Sequence, residues 1–271
     1  MTRVLVTGGT GGLGREVVTR LGAAGCAVRV MSRRGRPQDF NPALEWAQAD
    51  VETGAGLAAA VANVDVIVNA VTSPAKDTQK VDVEGTQRLL EQARTAKVGH
   101  FLHVSIVGIE RIPFPYYRHK VAAEQVVENG GVPYSILRAT QFHSLVDGFL
   151  QTLLRYPLGV MPADLLFQPI DTGEAADCIV SAIKGKPGEH LPDIGGPERL
   201  RLGDLAQMWL KVRGKQKLLL PIWLPGGFGH ALRNGYNTTP NRYGKITWTE
   251  WLNKQYGNQN AHQMSTQKAS V

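Results

Sequence analysis

Thr7-Gly8-Gly9-Thr10-Gly11-Gly12-Leu13-Gly14 lies between two segments of different period. Before it runs Arg3–Thr7, short and β-branched. After it, from Gly14 to Ala24, Val17, Val18 and Leu21 recur at helical spacing. A strand, a glycine turn and an amphipathic helix in that order form the opening of a βαβ unit. Gly8 and Gly11 permit a tight turn and a close approach of backbone to a ligand, and Gly14 lets the helix pack on the strand. The first turn of the helix then offers unpaired N–H groups and a positive dipole end, which hold a diphosphate. The loop predicts dinucleotide binding through Thr7, Gly8, Thr10, Gly11, Gly12, Leu13 and Gly14.

Outward from the loop the alternation continues. Strands are expected at Ala27–Met31, Leu44–Ala49, Asp65–Ala70, Phe101–Ser105 and Tyr134–Arg138, with helices at Leu57–Val61, Gly85–Ala96 and Tyr117–Glu128. Continuous apolar strands separated by helices predict an α/β fold, a doubly wound parallel sheet of Rossmann type. The second half is rich in Pro and Gly, with helices expected at Gly173–Ile183, Leu202–Val212 and Thr247–Gln255. It reads as a small C-terminal substrate-side lobe, drawn mainly from 141–256, of one domain spanning 1–256. The polar stretch 257–271 reads as a flexible tail. Met161, Phe167 and Trp223 are candidates for the lobe's lining or its core.

The 271 residues carry a formal charge of +7, spread along the chain rather than striped among aromatics, so no nucleic-acid partner is expected. No apolar run is long enough to span a membrane, and none is expected as a partner. The N-terminus leads directly into fold, which predicts a cytoplasmic protein. Cys26 and Cys178 read as small buried residues, and the histidines show no metal spacing, so no metal is expected.

After the second strand comes Ser32-Arg33-Arg34, where an NAD-binding domain usually places an acid for the ribose hydroxyls. Arg33, helped by Ser32 and Arg34, suits a 2′-phosphate, so NADP(H) is expected over NAD(H). Asp50-Val51 is placed toward the adenine, and Asn69-Ala70-Val71 beneath the cofactor ribose. Eleven residues past Ser105, Tyr116 and Lys120 stand four apart and share a helical face. Such a pair suits carbonyl reduction: the phenol donates a proton, while the ammonium lowers its pKa from about 10 and holds the cofactor ribose.

The glycine loop, Asp82-Val83-Glu84-Gly85-Thr86, Val104-Ser105-Ile106-Val107-Gly108 and the Tyr116–Lys120 pair resemble the short-chain dehydrogenase/reductase superfamily. Pro169-Ile170-Asp171 and Gly195-Gly196-Pro197-Glu198 are most similar to its atypical NmrA-like, NAD(P)H-binding group. The resemblance runs to about Leu252. It implies Ser105 as the active-site serine, although the following position is Ile106, and it puts Gln141, Phe142 and His143 beside the nicotinamide and substrate. The expected activity is NADPH-dependent hydride transfer to a small carbonyl, quinone or related acceptor. The alternatives are a non-catalytic NADP(H)-binding redox sensor or assembly factor and, with less weight, a nucleotide-sugar epimerase or dehydratase.

Overall fold

The computed structural model describes residues 1–73 and 77–257; most of the stretch 257–271 expected as a tail lies outside them. Two compact units are present. The first comprises Met1–Ala139 and Thr172–Asp193, the second Thr140–Asp171 and the chain from Ile194 onward.

The first unit is built on a seven-stranded sheet, all parallel, in the order β3-β2-β1-β4-β5-β6-β9. The strands are β1 (Arg3–Thr7), β2 (Ala27–Ser32), β3 (Glu45–Gln48), β4 (Val66–Asn69), β5 (His100–Ile106), β6 (Tyr134–Ala139) and β9 (Glu189–His190). Their order reverses at β1, the topological switch point where ligands bind in open α/β sheets. Between them run α1 (Gly12–Ala23), α2 (Leu57–Val61), α3 (Gly85–Thr95) and α4 (Pro115–Glu128). Leu5, Ile67 and Phe101 point to one face and are buried with Leu57, Leu89, Leu90 and Val127 of α2–α4. On the other face α1 packs against α6 (Thr172–Lys184). The late helix α6 therefore completes the first unit rather than a separate lobe. Cys26 and Cys178 are half-buried rather than buried, and neither forms a disulfide.

The second unit holds α5 (His143–Leu153), β7 (Leu158–Met161), β8 (Leu166–Phe167), β10 (Leu200–Arg201), α7 (Leu202–Val212), β11 (Leu218–Pro221), α8 (Gly226–Arg233) and α9 over 248–257. Its strands pair only as two ribbons, β8 with β10 and β7 with β11. Asp147 ties three elements together: its carboxylate accepts from Trp209 Nε1 at 2.6 Å and from the Tyr256 hydroxyl at 2.8 Å. Met161 and Phe167 belong to the core, whereas Trp223 is 69% exposed. Among the described residues no helix is long and apolar enough to cross a membrane.

Candidate functional site

The glycines of the β1–α1 loop differ in what they do. Gly8 has φ +64°, and a Cβ there would stand 2.8 Å from the Ala70 carbonyl oxygen. A Cβ on Gly14 would stand 2.1 Å from the Gly8 oxygen. These two are demanded by the protein itself. Gly11 is not: its φ of −79° suits any residue, and its Cβ would meet only the Gly8 oxygen, at 3.2 Å. Gly11 is the N-cap of α1, makes no side-chain cap, and no acid occupies the first turn. The N–H groups of that turn are left for an outside anion.

The loop lies against Ala70 and Val71, whose N–H groups both donate to Thr7 Oγ1 (3.2 and 3.3 Å). Beside β1, Ser32 ends β2, and its Oγ accepts from the Arg34 N–H at 3.1 Å. Arg33 and Arg34 are exposed, and neither guanidinium has a hydrogen-bond or ion-pair partner among the described residues. Arg36, by contrast, lies over the Phe40 ring. Asp50 Oδ1 closes its own turn by accepting from the Glu52 N–H, and the Val51 side chain sits in the core.

Parallel register places a polar row across three strands, since Thr7 pairs with Asn69 and Asn69 with His103. Thr7 Oγ1 donates to Asn69 Oδ1 (2.7 Å), and Asn69 Nδ2 reaches Thr86 Oγ1 (3.2 Å) and His103 Nδ1 (3.1 Å). Lys120, on α4, enters this row from the helix side. Its Nζ donates to the Val104 carbonyl at 3.1 Å and lies 3.5 Å from both His103 Nε2 and Asp82 Oδ1. Burial pushes the Lys120 ammonium down, opposed by Asp82 and Glu124, and burial together with Lys120 holds His103 well below its ordinary value and neutral. Asp82 comes from a π-helical turn, Gln79–Glu84, and also accepts from Thr72 Oγ1 at 2.7 Å.

Tyr116 is half-buried, with its hydroxyl 2.8 Å from Thr72 Oγ1. Thr72 has one hydroxyl proton and donates it to Asp82, so the phenol donates to Thr72. Tyr116 and Lys120 are thus linked through Thr72 and Asp82. The expected lowering of the phenol pKa by Lys120 is not found: burial raises it, and Asp82 and Tyr117 raise it further. The ammonium's contacts are with Asp82 and a carbonyl, not with the phenol. Ser105 is buried, and its hydroxyl has no partner among the described residues. The donors on α1, the unpaired arginines and this orphan hydroxyl fit a dinucleotide and a small polar ligand.

Thr72, Asp82, Thr86 and His103 were not singled out for the site from sequence. Asp82 and Thr86 lie within one short motif, but only the folded chain brings Asp82 to Lys120 and Thr86 to Asn69. Gln141, Phe142 and His143 fall in the second unit. Gln141 is buried with Asn237 and Gln168, and Phe142 caps α5 and bridges to Ile170.

His143 is 1% exposed and lies 5.6 Å from the rings of Trp248 and Trp251, which stack on each other. Neither ring nitrogen has a partner among the described residues, and burial pushes the imidazole down to about 4. The unfolded chain, with an ordinary imidazole near 6.5, then takes up the proton first as pH falls. Stability from this group is full above about pH 6.5 and declines by about 3 kcal/mol toward pH 4. In urea melts at about pH 7 and about pH 4.5, His143→Phe is expected to lose that part of the decline, His100 and His103 contributing equally to both proteins. The same pH dependence in variant and wild type would contradict it.

Comparison with known proteins agrees with the parallel-sheet fold. The chain is 26% identical over 183 residues to the photosystem II assembly factor Ycf39 of Trieres chinensis, covering 64% of this chain and 57% of that one. It is 28% identical over 248 residues to the chloroplastic divinyl chlorophyllide a 8-vinyl-reductase of Oryza sativa subsp. indica, covering 82% and 61%. The chain spans about half to three fifths of the length of such curated relatives. A nucleoside-diphosphate-sugar epimerase structure from Staphylococcus aureus shares the fold at TM-score 0.77 and 18% identity, covering 93% of this chain and 99% of that one. Residues 8–148, just over half the chain, match a family profile described as NAD(P)H-binding. With its parallel sheet, glycine loop and this match, the chain belongs to the NAD(P)H-binding family.

Proposed function

We propose that the chain is an NADPH-dependent reductase of a small carbonyl, quinone or related unsaturated acceptor. The observation that carries this reading is the linked set Tyr116–Thr72–Asp82–Lys120 beside the dinucleotide loop. The bound dihydronicotinamide supplies hydride. Gly8, Gly11, Gly12 and the first turn of α1 hold the diphosphate, with Thr7, Thr10, Leu13, Asp50, Val51, Asn69, Ala70 and Val71 along the rest of the cofactor. Lys120 holds the ribose, kept charged by Asp82. Ser105 supplies its spare hydroxyl to the substrate oxygen. Tyr116, neutral at pH 7 as any ordinary phenol is, gives its proton to that oxygen, which must replace Thr72 as its acceptor, and burial of the phenol opposes the transfer until that oxygen accepts the bond.

Arg33, with Ser32 and Arg34, selects the 2′-phosphate. Loss of one charge-assisted bond costs about 1.5–3 kcal/mol, so Arg33→Ser is expected to weaken NADPH about tenfold or more and leave NADH unchanged. Calorimetric titration of both cofactors checks this, and equal losses for the two would contradict it.

The reductase reading is tested by NADPH oxidation over a panel of carbonyls and quinones. A second reading, a non-catalytic NADP(H) sensor or assembly factor, is favoured by the phenol's existing bond to Thr72 and by the similarity to an assembly factor. Tight NADPH binding with no turnover on any acceptor would select it.

A further inference from the structure

The second unit carries an apolar face whose chemistry the reductase reading does not use. Strands β7 and β11 pair in parallel, Leu158 with Leu218 and Val160 with Leu220. Paired residues in a sheet project to the same side, so these four form one outward face. They are 39–66% exposed. The inner side is filled instead by Gly159, Met161 and Leu219. Directly after β11, Ile222 is 46% and Trp223 69% exposed. A cluster of large apolar side chains of this kind on a ribbon marks a contact surface.

The chain segment that carries it is basic, although Arg233, which lies over the Trp223 ring, is paired with Asp164. From Leu205 to Thr249 the chain has no Asp or Glu, and it has Lys211, Arg213, Lys215, Lys217, Arg233, Arg242 and Lys245. Those seven equal the net charge of the whole protein. The first four crowd the turn that leads straight into β11. Lys217 donates to the Leu154 and Tyr156 carbonyls, and Arg213 lies over the Trp209 and Tyr256 rings. Lys211 and Lys215 are exposed and have no acidic partner among the described residues. A groove of about 620 Å³, lined by Leu210, Lys211, Lys215, Lys217 and Leu219, joins the basic turn to the ribbon.

We propose that this face docks the protein on the surface of an anionic phospholipid bilayer. Leu218, Ile222 and Trp223 would enter the interface while Lys211 and Lys215 meet the headgroup phosphates, the division of labour of interfacial segments. A second copy of the chain fits less well, because an isologous contact would bring the two basic turns together. The absence of a spanning run, which underlies the expectation of no membrane partner, does not bear on a surface contact of this kind.

The test is flotation with vesicles of phosphatidylcholine alone and of phosphatidylcholine with phosphatidylglycerol. The wild type is expected to float only with the anionic vesicles and to be released by salt. Each charge near an anionic surface is worth about fivefold in binding, so Lys211→Glu/Lys215→Glu should bind at least about tenfold more weakly. Leu218→Ser/Trp223→Ser should also lose binding. Circular dichroism and NADPH titration confirm that each variant is folded. Failure to bind anionic vesicles, or equal binding to neutral ones, would overturn the proposal. So would a concentration-dependent dimer abolished by Leu218→Ser/Trp223→Ser without vesicle binding. NADPH binding is read in the same samples, so a failed docking surface leaves the cofactor assignment standing.

Discussion

Gly11→Val is expected to leave the fold intact and to weaken NADPH binding by at least about a hundredfold. Valine accepts a φ of −79° and ψ of 174°, and the position is exposed, so its methyl groups project outward. The Gly8 oxygen, 3.2 Å from the new Cβ, need move only slightly. The branched side chain stands instead over the first turn of α1, where two or three N–H groups would each contribute about 1.5–3 kcal/mol to a bound phosphate. The Gly14 counterpart would be uninformative, because its Cβ collides with backbone and the loop itself would fail. Circular dichroism and thermal melting establish the fold, and calorimetry the binding. Binding within about threefold of wild type would show that the phosphate cradle lies elsewhere.

Tyr116→Phe is expected to reduce turnover by about 10²–10⁴ with NADPH affinity nearly unchanged, because one hydroxyl is lost and the ring remains. Tyr117→Phe should be close to silent: its ring meets Phe114 and Tyr116 edge-on or tilted, away from the Thr72–Asp82 link. Lys120→Ala is a different kind of change. It leaves the Asp82 carboxylate, fully buried, without its cation, a loss of about 3–5 kcal/mol in stability. Its thermal melt has to be read before its kinetics. Full turnover in Tyr116→Phe would remove the phenol from the chemistry.

The glycine-loop half of the candidate site is legible in the sequence because its parts are local. A strand, a glycine loop and a helix follow one another within about twenty residues, and each has its own period. The six longer strands of the sheet are readable for the same reason. The polar row is different in kind: Thr7, Asn69 and His103 become neighbours only through parallel register, and Asp82 reaches Lys120 only because a π-turn precedes α3. Burial, with a smaller contribution from Asp82, raises the phenol's pKa and reverses what spacing alone suggests. In the second unit the strands β7, β8, β10 and β11 are two to four residues long and pair across 30 residues or more, so no periodicity announces them. Helix α5 was within reach, since Val146, Leu150 and Leu154 recur at i+4, but Gly148 in its middle weakens the signal.

The most direct test of the account compares kcat/KM for NADPH and NADH in the wild-type protein with the best acceptor from the carbonyl and quinone panel. Turnover is expected with each cofactor in turn, favouring NADPH by about tenfold or more through Arg33. Equal values for the two cofactors, or no oxidation of either despite tight binding, would contradict it.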